Sequence, residues 1–162
     1  MTNPIQAYPL CWPDGWKRTT INNRKFGQFN KQSKDYRPPT VPGGQGYTRV
    51  TRRDVTVGDG LQRILESLTK MGVDRQDVII STNVPTRLDG LPRSGASEPQ
   101  DPGVAVYWKR IGEKGTSSMA VDRYTTVGDN MAALAATLEA LRAIERHGGA
   151  QILDRAFRGF AA

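Results

Sequence analysis

The stretch VAVYWKRIGEKGTSSMAVDRY, residues 104–124, decides what kind of fold this chain makes. Two apolar runs joined by the Gly- and Lys-containing GEKGT predict a β-hairpin, and with it a sheet that is mostly antiparallel. Working upstream, DVIISTNV from Asp77 is a short apolar run rich in β-branched residues, which predicts a buried strand. The segment between the two, PTRLDGLPRSGASEPQDPG, is dense in turn residues and reads as a loop.

Helices flank this group of strands. Val57, Leu61, Ile64, Leu65, Leu68 and Met71 recur at spacings of three and four, one face of an amphipathic helix that Gly72 can end in a left-handed cap. Downstream, Val127, Met131, Leu134, Leu138, Leu141 and Ile144 form a second stripe among alanines, stopped by Gly148 and Gly149. A shorter helix follows, with Ile152, Leu153, Ala156, Phe157 and Phe160 apolar. Two further short strands are expected near residues 7–10 and 47–51, on either side of a basic loop. The expected fold is α+β: a small, mostly antiparallel sheet with two main helices packed on one face and a long basic N-terminal loop.

The tetrapeptide TVGD occurs twice, at residues 56–59 and 126–129, each time at the start of a predicted helix. Thr at the N-cap and Asp three residues later make a capping arrangement, in which the carboxylate meets the orphan amide of the cap and the positive helix end. Anion-binding turns at Gly58 and Gly128 are the functional alternative. Asp59 and Asp129 would repel a phosphate there, so capping is the expectation.

A chain of 162 residues fits one domain, divided here into a basic, loop-rich and mobile part over residues 1–53 and an α+β core over residues 54–162. No apolar run reaches the roughly 18 residues of a membrane span. The opening MTNPIQAYPLCWPDGW lacks the basic-then-apolar order of a secretory signal. Cys11 is the single cysteine, which excludes an internal disulfide and suits a reducing, cytoplasmic compartment. It reads as a small apolar residue beside Trp12. His147, the one histidine, falls in the last turn of the second helix, where a cation complements the dipole.

The net charge of +7 is unevenly placed. Within residues 1–53 lie ten of the 23 basic residues but only Asp14 and Asp35 of the 16 acids, a balance of +8 against −1 for the remainder. Trp12, Trp16, Phe26, Phe29, Tyr36 and Tyr47 are interleaved with those cations. Lysine and arginine neutralise phosphates and release counterions, while flat rings stack on unpaired bases. Phosphate contacts are therefore expected from Lys17, Arg18, Arg24, Lys25, Arg49, Arg52 and Arg53, and stacking from Trp16, Phe26 and Tyr36. Single-stranded DNA or RNA is the favoured partner, with an acidic or nucleic-acid-binding host protein as the alternative. No cofactor, no catalytic residue and no metal site is assigned. A metal-dependent nuclease built on Asp89, Glu98, Asp101 and Asp122 is a third reading, although their spacing matches no known motif.

Five segments, YPLCWPDGWKRT, DVIISTNVPTRLDGLPRSG, DPGVAVYW, AVDRYTTVGDNMAAL and LRAIERHGGAQILDRAFRGFAA, together resemble a group of proteins of bacteriophages and integrated mobile elements. Members are often labelled DnaJ-like, because some continue into a J domain. His147 is followed by Gly148, so the His-Pro-Asp signature is missing and co-chaperone activity is not expected. The resemblance implies a setting of replication, recombination or anti-defence in a bacterial host. The leading expectation is a non-enzymatic nucleic-acid-binding accessory protein, with a protein-interaction module (a host-nuclease inhibitor or chaperone-linked adaptor) as alternative.

Overall fold

The computed structural model describes residues 4–29, 31–110 and 114–160. In chain order its regular elements are β1 (Lys31–Arg37), β2 (Tyr47–Arg53), α1 (Val57–Lys70), β3 (Val78–Thr82), β4 (Val104–Trp108), β5 (Ser117–Val121), α2 (Val127–Arg146) and α3 (Ala150–Phe160). Two antiparallel sheets result: a two-stranded pair, β1–β2, and a three-stranded meander ordered β3–β4–β5. The fold is α+β.

The meander is built as residues 104–124 predict, with Val104 opposite Val121 and Trp108 opposite Ser117. All five residues of β4 are buried, because this central strand is covered on both faces. Val104, Val106 and Trp108 point to the helices, where they join Ile64, Leu68, Met131, Leu134 and Leu138 in the main core. Ala105 and Tyr107 point the other way and meet Leu10, Trp12 and Trp16 of the N-terminal segment.

Both helices begin as the repeated tetrapeptide dictates, with one difference. At α1, Thr56 Oγ1 accepts from the Asp59 amide at 3.1 Å and Asp59 Oδ2 accepts from the Thr56 amide at 3.2 Å, a closed capping box. At α2, Thr126 Oγ1 again accepts from the Asp129 amide, but the Asp129 carboxylate takes the Thr126 hydroxyl instead of its amide. Glu98 supplies the extra acceptor, taking the Val127 amide at 2.6 Å. The two helix starts are pressed together. A methyl group on Gly128 would collide with the Val55 carbonyl oxygen, and one on Gly60 would collide with Met131.

Two expectations need correction. Residues 7–10 are not a strand: they run beside β3 with a single ladder-like bond, from the Thr82 amide to the Ala7 carbonyl. The basic N-terminal region is not all loop, since Lys31–Arg37 pairs with Tyr47–Arg53 over seven positions. Alternation of apolar and polar residues marks a strand only when one face is buried. KQSKDYR has no buried face, every described residue of β1 and β2 being exposed, so the pattern that reveals β3 and β4 is missing.

Candidate nucleic-acid interface

The ten cations of the first third divide between two structures. The first is a strap formed by residues 7–25, which crosses the outer face of the meander. Its backbone is tied to the sheet: the Leu10 amide donates to Asn83 Oδ1 at 3.0 Å and the Cys11 amide to Ser81 Oγ at 2.7 Å. The Tyr107 hydroxyl donates to the Cys11 carbonyl at 2.8 Å, and burial together with this bond pushes the Tyr107 pKa up. At its far end the strap makes an isolated parallel bridge. There the Lys25 amide donates to the Arg123 carbonyl and the Lys25 carbonyl accepts from the Thr125 amide.

Arg18 and Arg24 lie on this strap and turn toward Asp101 and Asp122, Arg24 buried and Arg18 still partly exposed. Arg18 Nε donates to Asp122 Oδ2 at 2.9 Å, its Nη2 pairs with Asp101, and its guanidinium stacks 4.3 Å over the Trp12 ring. Arg24 Nε donates to the Asp122 carbonyl at 3.2 Å, and its Nη2 lies 3.4 Å from Asp101 Oδ1. The Thr19 amide is a further donor to Asp122 Oδ2. With side chains 9% and 4% exposed, Arg24 and Asp122 form a buried ionic seat rather than a surface pair. Partial burial works against the charge on Arg18, but its bonds to Asp101 and Asp122 and their negative charges outweigh that effect. Its pKa is raised as a result.

The two indoles of the strap are equally engaged. Trp12 Nε1 donates to the Trp16 carbonyl at 2.9 Å, and both indoles pack against Ala105, Tyr107 and Ala120. Phe29 meets Tyr124 edge to face at 5.2 Å. Of the aromatic residues before β1, Phe26 is 87% exposed and Tyr8 is exposed as well. Lys17 and Lys25 are also exposed.

The second structure is the β1–β2 arm. Cross-strand partners share a face of a ribbon, and successive residues alternate between faces. The register therefore sets Arg37, Tyr47, Arg49 and Arg53 on one face and Lys34, Tyr36, Val50 and Arg52 on the other. One acid, Asp35, lies among them and pairs with Arg37 at 3.1 Å. Seven rungs at about 3.4 Å make the ribbon roughly 23 Å long. Its connecting turn, residues 38–46, carries no charge and holds three prolines and three glycines. Gly43 has a φ of 80°, the left-handed conformation glycine tolerates best.

Of the predicted phosphate contacts, the structure brings Arg49, Arg52 and Arg53 together on the exposed arm and places Arg18 and Arg24 in the ionic seat. Of the predicted stacking rings, Tyr36 is on the arm, Phe26 is exposed on the segment before it, and Trp16 is half-buried under the strap. Lys34 and Arg37 join the arm's exposed set, which only the pairing of β1 with β2 reveals. Of the carboxylates weighed for a nuclease, two converge, but on arginines, and the other two lie apart in structural roles. Asp101 and Asp122 hold Arg18 and Arg24, Glu98 caps α2, and Asp89 closes a turn with Arg87 at 2.8 Å. Among the described residues no three His, Cys, Asp or Glu side chains converge as metal ligands. No described helix is long and apolar enough to cross a membrane. No family model, curated protein or solved structure matches this chain.

Proposed function

We propose that this protein is a non-enzymatic accessory factor that binds nucleic acid through the β1–β2 arm. The observation that carries the reading is the arm's composition in space: five exposed cations, Lys34, Arg37, Arg49, Arg52 and Arg53, against one acid, on a ribbon with no buried face. Gathering like charges on a projection costs stability through their mutual repulsion, and an anion that meets them offsets that cost. Phosphates spaced along a polymer are the ligand that such a row of guanidinium groups suits, since each contact releases condensed counterions. Work in replication or recombination of a phage or similar element is the second half of the reading, and its support is the resemblance to mobile-element proteins.

The test is binding to labelled oligonucleotides by fluorescence anisotropy across a salt series. Affinity is expected to fall steeply between low and physiological salt. The double variant R52E/R53E should bind about a hundredfold more weakly and with a flatter salt dependence. Binding indifferent to salt, or intact in the double variant, overturns the proposal. Capture of partners from host lysate with and without nuclease treatment addresses the alternative. A protein partner retained through the arm after nucleic acid is destroyed would replace nucleic acid with an acidic protein surface.

A further inference from the structure

Two properties of the arm separate possible ligands. The first is where the rings are. A single strand is held by bases stacked in succession on aromatic side chains beside a cationic track. Trp12 and Trp16 are packed against the meander and Phe29 against Tyr124, so these three are committed to the fold. The arm's own tyrosines, each 64% exposed, sit on opposite faces: Tyr36 pairs with Thr48, and Tyr47 with Arg37. These two cannot form one row, and Phe26, exposed on the segment before the arm, lies outside the ribbon.

The second property is the two-sided charge. Arg49 and Arg53 occupy one face of the ribbon, Lys34 and Arg52 the other, and all four are exposed. A strand lying on one face would leave the opposite cations without phosphates. A groove walled by a phosphate backbone on each side would use both sets at once. The major groove of B-form DNA is about 12 Å wide and admits a two-stranded ribbon, whereas the A-form groove of duplex RNA is too narrow for it.

We propose that the ligand of the arm is duplex DNA, with the ribbon lying in the major groove and its two faces directed at the two phosphate walls. This rests on the nucleic-acid reading above and replaces its single-strand expectation. The uncharged turn over residues 38–46, with Val41 62% exposed, then leads into the groove, where apolar contact with base edges costs no unpaired charge.

The experiment compares one sequence as 24-nucleotide single-stranded DNA, as duplex DNA and as duplex RNA, at one salt concentration, by fluorescence anisotropy. Duplex DNA is expected to bind at least about tenfold tighter than either of the others. The face-specific variants K34Q/R52Q and R49Q/R53Q should each weaken duplex binding by about tenfold, and the quadruple variant by about a hundredfold. Melting curves confirm that each variant is folded. Protection of guanine N7 from dimethyl sulfate should appear on the duplex and vanish with the quadruple variant.

Arm-dependent binding that is equal or tighter for single strands overturns the groove while leaving nucleic acid as the ligand. Loss confined to one face, or unprotected guanine N7, also overturns it. Binding to none of the three ligands removes the nucleic-acid reading together with the groove.

Discussion

The strap and the arm are neighbours in sequence, alike in composition, and opposite in use. Each carries arginines, lysines and aromatic rings. On the strap both arginines meet carboxylates and both indoles meet the sheet; on the arm Lys34, Arg49, Arg52, Arg53 and both tyrosines are exposed, and Arg37 pairs with an exposed Asp35. The difference teaches that a cation's availability depends on what the fold sets opposite it. Arg18 and Arg24 face Asp101 and Asp122, and nothing in the run WKRTTINNRK distinguishes them from Arg52 and Arg53.

The sharpest attack on this contrast is the variant D122A. It removes one of the two carboxylates beside buried Arg24, leaving Asp101 alone, and deprives Arg18 Nε and the Thr19 amide of their acceptor. A loss of about 3 kcal/mol is expected, read as a fall in melting temperature of roughly 6–12 °C. If D122A melts within 2 °C of the parent, the seat is no more than a solvated pair and Arg18 and Arg24 return to the pool of free cations.

A smaller effect compares ring with ring. W16A should cost about 2 kcal/mol in denaturant unfolding, because the half-buried indole packs on Ala105, Tyr107 and Ala120. T56A should cost about 1 kcal/mol by opening the capping box of α1, which calibrates the scale with a helix cap that belongs to neither region. At the bottom, Y36A should change stability by no more than about 0.5 kcal/mol, since its ring is 64% exposed on a solvated ribbon. Equal costs for W16A and Y36A would erase the distinction between strap and arm.

Legibility followed the same division. The helices over Val57–Lys70 and Val127–Arg146, the β4–β5 hairpin and the strand after Asp77 each bury one face or both, so their residue patterns announce them. The helix caps are local too, being contacts between residues three apart. The role of Gly128 is different. Its closeness to the Val55 carbonyl depends on how α1 and α2 meet, and TVGD reads the same in both copies. The ribbon, solvated on both faces, imposes no alternation on its side chains: β2 is expected near residues 47–51 from its residue types, while β1 leaves no trace.

The amino-acid sequence by itself determined the α+β class, the helix starts and the concentration of positive charge before Asp54. These rest on periodicity, on contacts a few residues apart and on counting. Only the tertiary structure decided which of those charges face water. The partners that neutralise Arg18 lie 83 and 104 residues away, and β1 is a strand only because β2 returns beside it. Ion pairing and strand pairing act through space at a few ångströms, and a linear chain does not show which distant residues folding will bring within that reach.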